Sequence, residues 1–247
     1  LADDTLKGGT GSSDSIVITA DANSIGAVFG SSATGIETIT VAADGVKDLS
    51  ITTVDGNVTD TTGSLTVTAA ALTSTAAALT WVSAEDSTAT INVTGGAGAD
   101  SLTAGVEKSN YSGGGGIDTF ILTTAALTSV DTLAGGDGVD ILSISDASTV
   151  VDAQFTNVTS VETLTQGTAN AAQIITLGSL ADAAGLATIT GNNSGVDTVT
   201  VGAGFDNALT VNLVTGADNI NASASAAALT IKAAAAAITA ADTLKGG

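Results

Sequence analysis

Aspartates that follow short glycine runs are the residues of this chain best suited to chemistry. Three gapless octets share the pattern Gly-Gly-x-Gly-x-Asp-x-(large apolar), namely Gly95–Leu102, Gly113–Phe120 and Gly135–Leu142. Glycines let the backbone turn tightly and bring carbonyl oxygens inward, and the aspartate adds a carboxylate. Hard oxygen ligands of this kind suit Ca²⁺ rather than a transition metal. The pattern therefore predicts calcium-binding turns.

Weaker copies of the motif lie elsewhere in the chain. The stretch Gly8–Ile16 carries it with one inserted residue, and Ser194–Val199 and Thr215–Ile220 keep only Gly-x-Asp-x-apolar. One turn supplies too few oxygens for the six to eight ligands of a calcium site, whereas stacked turns can supply them. For Asp197 and Asp218 an ordinary Gly-Asp turn without a metal is an equal alternative.

The spacing of two aspartates predicts a shared ion. Asp100 and Asp118 are separated by the length of two nonapeptides, and Ala104–Ser112 fits the intervening register in degenerate form. In a coil of two short strands these carboxylates would lie one above the other, about 4.8 Å apart. At that distance they repel each other unless a cation sits between them.

The elements that must position these turns are short strands. Runs of Val, Ile and Thr alternate with period two and are bounded by Gly, Asn, Asp or Ser. The clearest are Ser15–Thr19, Glu37–Val41, Ser64–Thr68, Thr90–Thr94, Asp197–Val201 and Leu209–Leu213. They predict an all-β fold, a right-handed parallel β-solenoid or β-roll with about 18–24 residues per coil and little helix. The alternative is a β-sandwich with similar glycine turns. The Ala-rich segments Ala69–Leu79, Ala181–Leu186 and Ala222–Ala237 are ambiguous.

Internal repeats indicate a modular chain. Copies near residues 8–41 and 135–166 share a glycine turn, a Phe and a Glu at matching places, Glu37 and Glu162. Ala2–Gly9 recurs as Ala240–Gly247 with seven of eight residues identical. We therefore expect residues 1–247 to form one elongated module. The chain has no Met, even at position 1, so we expect a processed form, a fragment or a repeat unit of something longer.

The glycine motifs resemble the RTX family, whose nonapeptide repeats form a calcium-loaded parallel β-roll. The remaining Thr- and Ala-rich strands resemble RTX-containing bacterial surface-layer proteins and giant adhesins, which leave the cell by type I secretion. The resemblance implies calcium bound by the aspartates and by glycine carbonyls of the turns. The implied ligands are Asp14, Gly96, Gly98, Asp100, Gly114, Gly116, Asp118, Gly136, Asp137, Gly138, Asp140, Asp197 and Asp218.

Composition excludes several classes of function. With 25 acidic residues against five lysines the net charge is −20, which argues against binding nucleic acid or an anionic membrane. The chain has no His, Cys or Arg, so a Ser-His-Asp triad, a thiol nucleophile and an arginine clamp are all ruled out. No apolar run approaches the roughly 20 residues of a membrane-spanning helix. We therefore expect a protein that is not an enzyme.

The combined expectation is a calcium-dependent structural protein of the bacterial cell surface. It would be secreted and would assemble as part of an S-layer, a surface fibre or a large adhesin. Its partners would be further copies or tandem modules meeting end to end, and a surface polysaccharide is a candidate partner. The alternatives are a polysaccharide-acting β-helix enzyme and a carbohydrate- or ice-binding module, the last suggested by Thr-x-Thr runs such as Thr66–Thr68.

Overall fold

A computed structural model gives the architecture of the chain. It describes residues 6–8, 14–19, 25–29, 33–41, 48–54, 56–58, 63–85, 89–146, 149–166, 172–191, 197–213, 216–234 and 236–247. Several predicted features fall outside these residues. They are Gly9–Ser13 of the first glycine motif, Ser194–Val196 and Thr215 of the weaker motifs, and Ala2–Thr5 of the repeated octet.

The chain is a parallel β-solenoid, as the strand pattern predicts. Short strands account for nearly all regular structure in the described residues, and helix is confined to α1 (Ser179–Ala183) and a 3-10 turn at Asp152–Phe155. The strand pairs detailed below are parallel, which excludes the β-sandwich alternative. In the described part of the chain, no helix is long and apolar enough to cross a membrane.

Residue contacts divide the chain into two compact units. The first comprises Leu1–Ile121 and Val130–Val139, and the second comprises Leu122–Ser129 and Asp140–Gly247.

The strands of the first unit stack in three files. One file runs β2 (Ser15–Ile18), β5 (Thr38–Val41), β7 (Ser64–Thr68), β9 (Thr90–Thr94), β11 (Lys108–Gly115) and β13 (Thr132–Asp137). A second runs β3 (Ile25–Val28), β6 (Leu49–Thr52), β8 (Leu79–Val82), β10 (Ser101–Thr103) and β12 (Thr119–Leu122). The third is the pair β1 (Leu6–Lys7) and β4 (Ala33–Thr34).

The second unit has two main files. One runs β14 (Ile141–Ile144), β17 (Thr163–Gln166), β19 (Thr188–Thr190), β21 (Leu209–Leu213) and β23 (Leu229–Ala233). The other runs β15 (Thr149–Val150), β18 (Ile174–Leu177), β20 (Thr198–Val201), β22 (Asn219–Asn221) and β24 (Thr243–Lys245). A two-residue strand, β16 (Val158–Thr159), follows the 3-10 turn.

Coil length varies more than the sequence predicts. In the first unit a short coil leads from Ser101 to its strand partner Thr119, and a much longer one leads from Leu49 to its partner Leu79. The longer coil exceeds the predicted range, so the upper limit of that range was wrong. Strand pairing constrains only the residues inside each strand, and a corner between strands can therefore lengthen without changing the register.

Alternating burial along each strand builds the core. In β7 the side chains of Leu65 and Val67 are at most 2% exposed, whereas Thr66 and Thr68, which alternate with them, are partly exposed. β-Branched residues and Leu suit these positions because their side chains pack on a pleated surface. All six aromatic residues are also buried, at 3% exposure or less: Phe29, Trp81, Tyr111, Phe120, Phe155 and Phe205.

The three Ala-rich segments adopt three different structures. Residues 69–79 form turns that lead into β8, and α1 overlaps the start of Ala181–Leu186. The described residues of Ala222–Ala237 contain β23 between turns. Alanine favours helix only weakly, so tertiary packing decides each case.

Candidate metal centre

The aspartates of the first two glycine motifs stack one coil apart, as their spacing predicts. The backbone N–H of Asp100 donates a hydrogen bond of 2.7 Å to Oδ1 of Asp118. The pattern continues towards the start of the chain, where the N–H of Leu79 donates to Oδ1 of Asp100 at 2.6 Å. We call Leu79, Asp100 and Asp118 the Asp100 ladder. Each carboxylate reaches back to a backbone N–H of the preceding coil.

Both oxygens of the Asp100 carboxylate accept hydrogen bonds. Oδ2 accepts a 2.6 Å bond from the N–H of Gly96, within the same glycine turn. Burial raises the pKa of the Asp100 carboxyl, while the bonds from Leu79 and Gly96 act in the opposite direction. The side chains of Asp100 and Asp118 are 2% and 0% exposed. The ladder thus lies inside the corner of the coil rather than on its surface.

The predicted glycine ligands stack in the same register. Gly114 pairs with Gly136, and the N–H of Gly115 donates to the carbonyl of Gly96 at 2.9 Å. Gly114 has φ +106°, and the Gly96 oxygen stands where its Cβ would be. Gly116 likewise faces the carbonyl of Gly98. Any side chain at Gly114 would collide with the neighbouring turn, so the turns approach closely because they are glycine.

Two predicted ligands of the third motif, Gly136 and Asp137, pair with Gly114 and Gly115 of this stack. Gly136, Gly138 and Asp137 belong to the first unit, where the Asp137 carbonyl accepts the N–H of Gly116 at 2.9 Å. The side chain of Asp137 is exposed.

Asp140 belongs to the second unit and makes a contact that also occurs at Asp14. Its N–H donates to Oε2 of Glu162 at 2.8 Å, and the N–H of Asp14 donates to Oε2 of Glu37 at 2.8 Å. The two glutamates thus perform one structural task in the two repeat copies. Among the residues that the structure describes, which leave out Gly9–Ser13 of its own turn, none donates a hydrogen bond to the buried Oδ2 of Asp14.

Asp197 and Asp218 form a second stack, which also contains a residue that sequence reasoning missed. The N–H of Gln173 donates to Asp197, that of Asp197 to Asp218, and that of Asp218 to Asp242, at 3.2, 3.1 and 2.8 Å. We call these four residues the Asp218 ladder. Burial, together with the charges of Asp197 and Asp242, raises the pKa of Asp218. Hydrogen bonds from the N–H groups of Thr239 and Asp218 lower the pKa of Asp242.

A positional rule links these acids and would have identified the missed one. An acidic residue lies immediately before the first residue of many strands. These acids include Asp14, Glu37, Asp100, Asp118, Asp131, Asp140, Glu162, Asp197, Asp218 and Asp242. At that corner a backbone N–H of the preceding coil lies within reach of a side-chain oxygen. A buried N–H without a partner is costly, so a carboxylate at this position stabilises the corner.

Oxygen atoms converge at the glycine turns in a way that suits a hard cation. Asp100 Oδ2 and the Gly113 carbonyl oxygen both lie too close to Gly95 for a Cβ atom to fit there. Asp118 Oδ2 lies equally close to the position that a Cβ would take on Gly113. The donor set at these cradles is carboxylate and carbonyl oxygen, as Ca²⁺ prefers. Among the described residues, however, no three Asp or Glu side chains are grouped to hold a metal, so backbone carbonyls would have to complete any shell.

Comparisons with known proteins returned nothing that resembles this chain: no family model, curated protein or solved structure matches it.

Proposed function

We propose that this chain is a calcium-dependent structural module of the bacterial cell surface, related to RTX proteins and part of an S-layer, a surface fibre or a large adhesin. The observation that carries the proposal is the stacking of Asp100 on Asp118, coil over coil, beside turns lined by carbonyl oxygen. Stacked carboxylates inside a low-dielectric corner repel each other, and a divalent cation relieves that repulsion.

The Asp14 corner is consistent with the same chemistry. Its buried Oδ2 accepts no hydrogen bond from the described part of the chain, and a bound cation would satisfy that oxygen. Asp14, Asp100 and Asp118 are therefore the side chains we assign to calcium, with carbonyls of the glycine turns completing each shell. Asp140, Asp197 and Asp218 are further carboxylates that a cation would neutralise within their stacks.

The distribution of aromatic and acidic side chains favours a structural role over catalysis. Each described acid of the two ladders accepts a hydrogen bond from a backbone N–H of the preceding coil and so helps to hold the coils in register. Carbohydrate-binding modules usually stack sugars on exposed aromatic rings, and every aromatic ring of this chain is buried.

Net charge links calcium to export. A chain at −20 repels itself, and each Ca²⁺ removes two units of that charge while joining adjacent turns. Free calcium is low inside cells, so the module would stay loosely folded until it is secreted and would then fold and assemble outside.

A calcium titration of the full chain tests this proposal. After chelator treatment, we expect calorimetry to show saturable calcium uptake at millimolar concentration or below, with a rise in melting temperature. A ligand at 100 times its Kd adds about 2.7 kcal/mol to stability. Asp118→Asn should bind fewer ions. Asp206→Asn, an exposed aspartate outside the glycine motifs, removes the same charge and should bind as the wild type does. Absence of uptake would leave a metal-independent solenoid.

A second candidate function, ice binding, is favoured by the outward face of one file of strands. Two parallel rows run along β5, β7, β9 and β11. One row is Thr38, Thr66, Asn92 and Asn110, and the other is Thr40, Thr68, Thr94 and Ser112. Repeats of about 4.8 Å between strands and about 6.6 Å along them space hydroxyl, amide and methyl groups at regular intervals on this face. Hydrogen bonds from Asn92 to Thr66 and from Asn110 to Asn92 hold one row rigid.

Inhibition of ice recrystallisation tests this second candidate. Thr68→Lys places a bulky charge in the middle of the two rows and should abolish inhibition. Thr210→Lys makes the same change in β21, outside these rows, and should leave inhibition intact. A wild-type protein without effect on ice growth would remove the candidate.

A further inference from the structure

Two buried acids lie outside the glycine motifs, in segments that lead from one coil to the next. Glu85 lies between β8 and β9, and Glu107 lies between β10 and β11. The side chains of both are 2% exposed. Burying a carboxylate is costly unless its charge is compensated, so the partners of these two acids decide what this corner does.

Glu85 and Glu107 use their carboxylates differently. Oε2 of Glu85 accepts a 3.1 Å hydrogen bond from the N–H of Gly56 in the preceding coil, as the acids of the two ladders do. Oε1 of Glu107 instead accepts bonds from its own coil, from the N–H of Gly105 at 3.2 Å and from the hydroxyl of Tyr111 at 3.0 Å. These two bonds fix the carboxylate of Glu107, and with it the direction in which the second oxygen points.

The second oxygen of Glu107, Oε2, meets the backbone of the preceding coil beside Gly105. None of the described residues, which leave out 86–88 of that coil, donates a hydrogen bond to it. Oε2 of Glu107 and the carbonyl oxygen of Glu85 both lie too close to Gly105 for a Cβ atom to fit there. Gly105 does not have a positive φ, so the space beside it, rather than its backbone conformation, requires glycine.

The two oxygens at Gly105 suit a hard cation. A carboxylate oxygen and a carbonyl oxygen are both acceptors, so neither can satisfy the other. Oxygen atoms of these two kinds are the ligands that Ca²⁺ prefers. Gly105 itself is partly exposed, so an ion and its water ligands have access to this corner from solvent.

We propose that a Ca²⁺ ion binds beside Gly105, held by Oε2 of Glu107 and the carbonyl oxygen of Glu85, with water completing the shell. The glycine leaves the room that the ion needs, and the bonds from Gly105 and Tyr111 hold the carboxylate in place. The ion joins two successive coils and compensates a buried charge. This site contains no residue of the glycine motifs, so it does not depend on calcium binding at those motifs.

Terbium luminescence detects such an ion, because the only tryptophan and the only tyrosine of the chain lie next to the site. The Trp81 indole N–H donates to the Tyr111 hydroxyl, which in turn donates to Glu107, both at 3.0 Å. Tb³⁺ takes the oxygen ligands of Ca²⁺ and emits when a nearby aromatic ring absorbs light. We expect the chelator-treated full chain to give terbium emission that added Ca²⁺ displaces.

Glu107→Gln tests the ligand. Glutamine keeps an oxygen for the donors at Gly105 and Tyr111, and its amide N–H can face the Glu85 carbonyl, so the fold should persist. The variant should bind one calcium ion fewer in calorimetry. Its terbium affinity at this site should fall by about 100-fold or more, since even the loss of a partner of a metal ligand costs about 10–100-fold. Asp118→Asn is the matched control, which removes the same charge from a glycine motif and should keep the emission that Glu107→Gln loses.

Two further measurements make the test independent of how well the variant folds. In chelator, Glu107→Gln should melt at or above the wild-type temperature, because it removes a buried negative charge, and added calcium should raise the wild type more. In wild-type crystals soaked with terbium, anomalous diffraction should place an ion beside Gly105. Absence of that peak, or equal ion counts and emission in the wild type and Glu107→Gln, overturns the site. Loss of calcium uptake in Asp118→Asn alone would contradict only this inference and leave the glycine motifs as calcium sites.

Discussion

The backbone N–H of Asp100 donates to the carboxylate of Asp118 in the next coil, at 2.7 Å. The same bond recurs between Asp197 and Asp218 and between Asp218 and Asp242. Backbone ladders fix the strands of a parallel solenoid, but the corners need acceptors of their own. In this chain acidic side chains supply them, so the high negative charge is partly a structural feature.

Loss of one ladder carboxylate should destabilise the fold. Asp118→Ala leaves the buried N–H of Asp100 without its acceptor, which we expect to cost about 1–3 kcal/mol of unfolding free energy. Asp118→Asn keeps a side-chain oxygen and should cost less. Urea unfolding in the presence of chelator measures both. Asp206→Asn is the surface control, expected within about 0.5 kcal/mol of the wild type. Equal stability of Asp118→Ala and the wild type would contradict a structural role for the ladder.

The glycine turns should tolerate no side chain where they stack. Gly114→Ala forces an alanine to φ +106° and drives its Cβ into the carbonyl of Gly96. The backbone strain alone costs about 1–3 kcal/mol, and the clash adds to it. Gly26→Ala, with no atom of the described residues within 4 Å of its Cβ position, should be neutral or slightly stabilising. Thermal unfolding of the two variants should therefore differ clearly, and matching melting temperatures would refute the close approach of the turns.

Asp218 should make the fold more stable in mild acid. Its pKa is raised, so its contribution to stability is fully present below the unfolded value, about 3.9, and is lost as the pH rises through the folded pKa. Asp218→Asn carries no charge and keeps an oxygen for the Asp197 N–H. In chelator, its melting temperature should exceed the wild type's at neutral pH, and the difference should shrink on acidification.

Asp242 should show the opposite dependence. Its pKa is lowered by hydrogen bonds from Thr239 and Asp218, so its contribution is present above the unfolded value and is lost as the pH falls through the folded pKa. Asp242→Asn should therefore melt below the wild type at neutral pH and approach it in acid. Each variant controls for the other, and pH profiles of the same sign would contradict the assignment.

The single tyrosine should stay protonated until the chain unfolds. Tyr111 accepts a bond from the Trp81 indole N–H and donates to Glu107, both at 3.0 Å, and burial followed by the Glu107 charge raises its pKa well above the usual value. In an alkaline titration, phenolate absorbance should appear only together with loss of the β circular dichroism signal. Phenolate forming in a chain that keeps this signal would refute the buried network.

Tyr111→Phe tests the energetic side of the same network. The change leaves the buried indole N–H of Trp81 without its acceptor and removes a donor from Glu107, at an expected cost of about 1–3 kcal/mol. Denaturant unfolding measures it. A Phe variant as stable as the wild type would show that the hydroxyl contributes only packing.

Local pattern determined the strands and the pairing of the first two glycine motifs. Ser64–Thr68 and Leu209–Leu213 are strands with the bounds their alternation predicts, since β-branched residues at period two suit one buried face. The interval of two nonapeptides between Asp100 and Asp118 was enough to place them one coil apart. The glycine motifs, together with the short alternating strands, likewise predicted a parallel solenoid.

Tertiary structure decided what the acids do and how long each coil is. No local sequence signal distinguished the long coil between Leu49 and Leu79 from the short coil between Ser101 and Thr119. The segment at a corner can be longer or shorter while the strands keep the same register. The part played by Asp242 in the Asp218 ladder depends on a partner in the preceding coil. The carboxylates accept hydrogen bonds from backbone groups of that coil. These contacts form only when the coils are stacked, so the role of each acid could not be predicted from the sequence around it.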